Sequence, residues 1–168
     1  MFVLGIDPGV SRCGYGVVER TGAGSLKAVA CGVLTTPVTD DLPQRLASLN
    51  TELRTLLDEY APTAVVVERV FFQTNVRTAM SVGQASGLAL VAAADAGCEI
   101  AQYTANEVKQ AVTGYGAATK DQVARMVQSL LALPMVPKPV DAADALALAL
   151  THLAVRQVLV AAQRVAAP

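Results

Sequence analysis

The chain has 168 residues, of which 53% are hydrophobic and 16% are charged, and its formal net charge is −1 at pH 7. This composition predicts a folded domain with an apolar core and excludes an intrinsically disordered chain. The near-neutral charge gives no global signature of nucleic-acid binding, so an anionic partner would have to meet local basic residues or metal ions. Three widely spaced cysteines favour a reducing cytoplasm over a disulfide or zinc framework.

The N-terminal third predicts three strands, over residues 1–6, 14–20 and 26–34, joined by short turns into an antiparallel meander. An amphipathic helix follows over residues 42–60, where leucines recur at helical spacing. The β-rich run from Thr63 to Glu68 has the composition of a buried parallel strand, and Glu68 lies at its end.

The remainder predicts a helix rich in small residues over 79–96, a strand over 99–103 and a last long helix from 140 to about 162. Capping boxes beginning at Thr104 and Thr119 each predict a helix start, the second helix running to about Leu133. The apolar helices carry polar side chains, which favours burial in a core over a membrane span. The element order predicts an α/β protein with a five-stranded mixed sheet, three strands antiparallel and two parallel, flanked by helices.

Asp7 ends the first strand at the turn Asp7-Pro8-Gly9. Taken alone, it fits a metal ligand and an aspartate that starts a turn by bonding its own backbone equally well. If the strand ending in Glu68 pairs beside the first strand, both carboxylates emerge at the same end of the sheet, where sites tend to form.

Asp141 and Asp144 lie three residues apart and therefore share one face of the last helix. Alone, such a pair more often caps a helix and opposes its dipole. With Asp7 and Glu68 the pair would form a cluster of four carboxylates, which repel one another unless cations lie among them. Oxygen ligands suit Mg²⁺ or Mn²⁺ and not zinc, and two such ions suit in-line displacement at a phosphodiester.

Six motifs lie along the chain, and in order they are Gly5-Ile6-Asp7-Pro8-Gly9, Gly14-Tyr15-Gly16-Val17, Glu68-Arg69-Val70-Phe71, Gly83-Gln84-Ala85, Val108-Lys109-Gln110 and Asp141-Ala142-Ala143-Asp144-Ala145-Leu146-Ala147. Together they resemble the RuvC family of bacterial Holliday junction resolvases, within the RNase H-like nuclease superfamily. The resemblance runs nearly end to end. The Asp-x-Gly element alone is weak, because sugar kinases and actin-like ATPases share it.

The resemblance implies a single RNase H-like nuclease domain over residues 1–168, with Asp7, Glu68, Asp141 and Asp144 as catalytic ligands of two Mg²⁺ ions, for which Mn²⁺ substitutes. It implies a cytoplasmic homodimer that resolves four-way DNA junctions in homologous recombination and DNA repair. Cleavage would be symmetric in two strands of like polarity and would leave 5′-phosphate and 3′-hydroxyl ends. The implied partner is the RuvA–RuvB branch-migration complex, and no membrane is involved.

Lys109 and Lys120 match lysines that the family uses near DNA, and we include both among the catalytic residues. A lysine beside such a site neutralises phosphate charge or stabilises a pentavalent transition state. The alternative for either lysine is an ordinary solvated helix charge.

Four further residues are weaker candidates for contact with DNA. Phe71 matches a family aromatic that stacks on an unpaired base, and base stacking tolerates any sequence. Phe72, its neighbour, is the alternative core residue at this strand end. Arg77 is a candidate for a phosphate contact, and Tyr115 either contacts DNA or packs.

The alternative function is a small actin-like or kinase-like nucleotide-binding protein that uses Asp7-Pro8-Gly9 as a phosphate loop. That class needs two such domains around a cleft, and it leaves Asp141 and Asp144 unexplained. The small-residue pair in Gly83-x-x-x-Gly87 fits a helix contact in a dimer and packing onto its own sheet equally well. His152, the only histidine, favours a packed residue over a metal ligand.

Overall fold

The computed structural model describes residues 1–22, 24–69 and 76–166, and the side chains of residues 76–78 and 164–166 are not among those described. The strands in this part of the chain are β1 (Phe2–Asp7), β2 (Arg12–Arg20), β3 (Leu26–Thr35), β4 (Ala64–Glu68) and β5 (Glu99–Tyr103). The helices are α1 (Leu42–Tyr60), α2 (Val76–Asp95), α3 (Ala105–Thr113), α4 (Lys120–Leu130) and α5 (Val140–Ala166).

The strands form one sheet of order β3-β2-β1-β4-β5. β2 pairs antiparallel with both β1 and β3, whereas β4 pairs parallel with β1 and β5 pairs parallel with β4. The predicted mixed sheet is confirmed. The meander forms one half of the sheet, and the helix-connected strands form the other.

Alternation along the strands divides the core into two layers. Leu4, Ile6 and Val67 pack with α1 and α2 on one face of the sheet. Val3 and Val66 pack with α3, α4 and α5 on the other face. Since strand side chains alternate between faces, Asp7 and Glu68 continue the second set and belong to the face that α5 covers.

Glycines let α5 lie directly on the strands beneath it. Gly5 of β1 and Gly16 of β2 are cross-strand partners. A Cβ on Gly16 would lie 2.7 Å from the backbone nitrogen of Leu146, and a Cβ on Gly5 would overlap the carbonyl oxygen of Ala145. The two glycines therefore set how closely the N-terminal half of α5 approaches the sheet.

Both predicted capping boxes are present, at Thr104 for α3 and at Thr119 for α4. The prediction that the second of these helices reaches Leu133 is wrong by three residues. α4 ends at Leu130, because Ala132 adopts a left-handed φ of 48° and the Leu133 N–H donates to the carbonyl of Gln128 at 2.9 Å.

α5 is, within the described residues, the one helix long and apolar enough to cross a membrane by length and composition. The helix nevertheless packs against β1, β2, β3 and β4, and its buried residues lie in its N-terminal half. Leu146, Ala149 and Leu150 are buried there. The prediction of a core helix is confirmed for this half.

Candidate active site

The ends of β1 and β4 bring two carboxylates together. The parallel register pairs Gly5 with Val66 and Ile6 with Val67. Asp7 and Glu68 are the next residues of each strand, so they lie side by side at the same end of the sheet, as predicted.

α5 adds the other two carboxylates from above the sheet. Asp141 and Asp144 lie in its first turns. Gly14, the cross-strand partner of Asp7, lies directly beneath this turn, and a Cβ there would overlap the carbonyl oxygen of Asp141. Absence of a side chain at Gly14 thus allows the start of α5 to lie beside Asp7.

One pocket is lined by three of the four carboxylates, Asp7, Glu68 and Asp144, together with Lys109 and Lys120. Lys120 Nζ donates to Asp144 Oδ2 at 2.6 Å. Apolar side chains complete the walls, and these are Ala105, Val108, Val123 and Leu148. The structure therefore places both candidate lysines in one pocket with three of the four candidate carboxylates.

Asp141 does not line this pocket. Its carboxylate instead accepts two hydrogen bonds on Oδ2 from Arg12, one from Nη2 at 2.6 Å and one from Nε at 3.0 Å. Arg12 is the residue of this site that the sequence analysis missed. Its position at the start of the strand after the Asp7-Pro8-Gly9 turn was the available signal.

Burial and crowding act strongly on Asp7 and Glu68. Burial, followed by the charges of Glu68 and Asp144, raises the pKa of Asp7 to about 7, against the lowering effect of Lys120. Burial and Asp144 likewise raise the pKa of Glu68 above its ordinary value. The cluster therefore resists carrying its full negative charge without added cations.

Lys120 supplies one such cation and is held in place by local structure. It is the first residue of α4, directly after Thr119, whose hydroxyl accepts from the Gln122 backbone N–H at 3.2 Å. Burial lowers the pKa of Lys120, but its hydrogen bond to Asp144 and the charges of Asp144 and Asp7 outweigh it and raise the pKa overall. The side chain of Lys120 is therefore protonated and positively charged at neutral pH.

The donor chemistry of this site fits a hard divalent cation, since every acidic ligand candidate offers carboxylate oxygen. No three histidine, cysteine, aspartate or glutamate side chains are already arranged around one metal position in the described part of the chain. Two of the four carboxylates are engaged in ion pairs, Asp141 with Arg12 and Asp144 with Lys120. A cation would have to exchange with these side chains to gather the carboxylates.

The predicted DNA-contact residues are less well defined. Phe71 and Phe72 lie outside the described residues, as does the side chain of Arg77. Tyr115 is 62% exposed in the turn after α3, where its side chain lines a shallow groove with Gln122 and Arg125, away from the carboxylate pocket. His152 is buried, as predicted for a packed residue, with Nδ1 3.2 Å from the Tyr103 hydroxyl.

A five-stranded mixed sheet of this order, with carboxylates at two adjacent strand ends and on the covering helix, defines a protein of the RNase H-like class. The match to known sequences is more specific. Residues 3–152 match the family model described as crossover junction endodeoxyribonuclease RuvC, and the chain belongs to the RuvC family.

The curated relatives and solved structures agree with this assignment. The crossover junction endodeoxyribonuclease RuvC of Syntrophomonas wolfei is 50% identical over 153 residues, which cover 91% of this chain and 88% of the relative. A RuvC structure from Thermus thermophilus matches with a TM-score of 0.85 at 39% identity, covering 94% of this chain and 96% of that one. A T. thermophilus RuvC in complex with a Holliday junction substrate matches with the same TM-score and coverage at 36% identity.

Proposed function

We propose that this chain is an endonuclease that resolves four-way DNA junctions in homologous recombination and DNA repair, acting as a single nuclease domain. The observation that carries the proposal is the pocket in which Asp7, Glu68 and Asp144 meet two lysines, in a chain that matches the RuvC family over residues 3–152. A solved relative was captured on a Holliday junction.

Two Mg²⁺ ions, for which Mn²⁺ substitutes, are the proposed cofactors, with Asp7, Glu68, Asp141 and Asp144 as their ligands. When bound, such ions supply activation of water and neutralise charge on the leaving oxygen. Asp7 and Glu68 are fixed by the rigid sheet and partly dehydrated, which strengthens their interaction with a cation. The pKa of Asp7 is raised, first by burial and then by the charge of Glu68. A raised pKa is expected for a carboxylate that binds a metal ion when that ion is absent.

Lys109 and Lys120 approach the pocket from α3 and α4, opposite the sheet. Their proposed role is to bind the phosphodiester and to stabilise the negative charge that develops during its hydrolysis. The two lysines offset only part of the charge of the three carboxylates, so in a chain with a net charge of −1 the proposed metal ions would supply the rest of the local attraction for DNA. The exposed Tyr115 is a proposed, more distant DNA contact.

A homodimer is the proposed assembly, and α2 is the proposed contact. Among the described residues, leaving aside the backbone of α2 itself, no atom lies within 4 Å of a Cβ built on Gly83 or Gly87, so contact with the described part of the sheet does not explain the small-residue pair. Met80 and Val91 on α2 are 63% and 57% exposed. Successive spacings of three, four and four residues put these positions along one stripe of the helix. A two-fold dimer matches a substrate cut symmetrically in two strands.

The proposed cellular setting is the cytoplasm, where the resolvase would act with a RuvA–RuvB branch-migration complex. Support for this partner comes from family membership. The motor would move the junction along the DNA until the preferred cleavage sequence reaches the active site. Co-sedimentation of this chain with RuvA–RuvB on a junction, against the junction alone, tests it.

Cleavage of a mobile four-way junction by the purified chain tests the proposed function. With Mg²⁺ or Mn²⁺, we expect paired nicks in strands of like polarity, products that ligase reseals, and little cutting of linear duplex with the same sequence. Chelation by EDTA should abolish cutting. Absence of junction cleavage with either ion, across several core sequences, would overturn the proposal.

A further inference from the structure

Arg12 and Asp141 form an ion pair that joins the start of β2 to the start of α5. Both hydrogen bonds from the guanidinium end on the same carboxylate oxygen, Oδ2. The partners are 129 residues apart in sequence. The pair therefore exists because α5 lies over β2, and it engages a carboxylate that belongs to the proposed metal ligands.

The surroundings of this ion pair make it exchangeable. The side chains of Arg12 and Asp141 are 52% and 31% exposed. An exposed ion pair contributes little net stability, because water solvates both charges and the long side chain loses freedom. A hard divalent cation that binds the same carboxylate oxygen has to displace the guanidinium, and it gains more from the oxygen than arginine does.

The two cationic side chains that form ion pairs with the acidic cluster differ in position. Lys120 lies inside the pocket with Asp7, Glu68 and Asp144, where its proposed role is to bind phosphate. Arg12 is absent from the pocket lining and holds Asp141 at its side. Removing Arg12 therefore changes the availability of Asp141 without removing a group that lines the pocket.

We propose that Arg12 is the built-in counter-ion of Asp141, so that its guanidinium and a divalent cation compete for the same carboxylate. Arg12 is thus a positioning residue that stabilises the metal-free cluster and weakens cation binding. The inference rests on the proposed role of Asp141 as a metal ligand. It assigns to Arg12 a role in the balance between the metal-free and metal-loaded centre, and not in the chemical step.

Calorimetric titration of Mn²⁺ into the protein without DNA tests the competition directly. We compare wild type with Arg12→Gln, and with Arg54→Gln as a matched control. Arg54 forms an equally short ion pair with Asp95, 2.6 Å long and of similar exposure, between α1 and the end of α2. Arg12→Gln should bind Mn²⁺ about threefold to tenfold more tightly than wild type, because a competitor and a repelling charge are both lost. Arg54→Gln should match wild type.

Thermal unfolding in EDTA and in Mn²⁺ gives a second readout. Arg12→Gln should lower the unfolding temperature in EDTA, where Asp141 loses its counter-ion, and the deficit should vanish or reverse in saturating Mn²⁺. Arg12→Lys, which keeps the charge but not the paired N–H donors, should lie between wild type and Arg12→Gln. The effect of Arg54→Gln should be the same in both solutions.

The outcomes separate this inference from the proposed function. Tighter Mn²⁺ binding by Arg12→Gln, with an unchanged control, supports the competition. If wild type binds Mn²⁺ and Arg12→Gln binds it equally or more weakly, the proposed role of Arg12 is overturned, whereas the proposed metal centre is not. No Mn²⁺ binding by wild type overturns the proposed metal centre and the role of Arg12 with it.

Discussion

At the scale of single residues, burial and crowding act most strongly on Asp7, a proposed metal ligand. The sheet and α5 remove water from it, and Glu68 and Asp144 add negative charge beside it. The positive charge of Lys120 offsets only part of this cost, since the pKa of Asp7 is still raised, by burial above all, to about 7. The carboxylate is thus stabilised in its neutral form until further positive charge arrives.

Asp7→Asn should stabilise the metal-free protein in a pH-dependent way. Since the native pKa is about 7 and the unfolded value is 3.8, the native state binds more protons between these values, and wild-type stability falls as pH rises through this window. Asp7→Asn has no carboxyl group at this position, so its stability should not fall in this way as the pH rises. In EDTA at pH 8 it should be more stable than wild type by about 1–3 kcal/mol, and the gain should shrink towards pH 4. Urea unfolding at several pH values measures this, and an equal loss of stability by the variant at every pH contradicts it.

Lys120→Gln should lower junction cleavage about 10²-fold, since a fixed positive charge beside the reacting phosphate is lost. Lys27→Gln, at an exposed position on β3, is the matched control. Single-turnover rates with saturating Mg²⁺ measure the effect. Equal rates for the two variants would remove Lys120 from the catalytic set.

At the scale of elements, the site depends on how α5 lies across the sheet. Gly5, Gly14 and Gly16 leave room for it, and their partners on the helix include the backbone of Asp141. Capping boxes at Thr104 and Thr119 begin the two helices that carry Lys109 and Lys120. Backbone features therefore position every charged group of the pocket.

Gly14→Ala should disturb the site through the backbone. A methyl group there would overlap the Asp141 carbonyl oxygen and push the first turn of α5 away from Asp7. We expect a loss of about 1–3 kcal/mol in unfolding free energy and weaker Mn²⁺ binding. Gly22→Ala is the control, because no atom of the described residues beyond its chain neighbours lies within 4 Å of a Cβ at that position. If Gly14→Ala has wild-type stability and Mn²⁺ affinity, the glycine contact does not position Asp141.

The spacing of hydrophobic residues, together with the turns that end the strands, predicted most of these elements from the sequence. Buried strands placed Asp7 and Glu68 at one sheet end, because apolar composition and terminating turns are local signals. The Arg12–Asp141 pair was missed because it depends on where α5 crosses β2, which local patterns do not encode. For the same reason, sequence predicted four converging carboxylates, whereas Asp141 lies beside the pocket that the other three line. The end of α4 was missed because the left-handed turn at Ala132 uses no glycine.

At the scale of the whole molecule, charge and symmetry matter more than any single contact. A net charge of −1 means that DNA affinity has to come from basic groups gathered near the sites. A dimer would double these groups and place two sites on one junction. The exposed stripe of α2, comprising Met80, Gly83, Gly87 and Val91, is the surface on which this arrangement depends.

Gly87→Arg should convert the proposed dimer into monomers, since a long charged side chain would separate two closely packed helices. Ser129→Arg, on the exposed side of α4, is the control. Sedimentation velocity across a concentration series measures the mass. Unchanged sedimentation of Gly87→Arg beside a dimeric control would show that the dimer uses another surface.

Junction cleavage and junction binding, measured side by side for wild type, Asp7→Asn and Glu68→Gln, test the central claim most directly. Asp95→Asn serves as the control, because its carboxylate pairs with Arg54 at the far end of α2. Both pocket variants should cleave at least about 10²-fold more slowly while binding the junction as tightly as wild type, since less negative charge does not weaken contact with phosphate. Cleavage by either pocket variant at the rate of Asp95→Asn would contradict the assignment of these carboxylates as the hydrolytic centre.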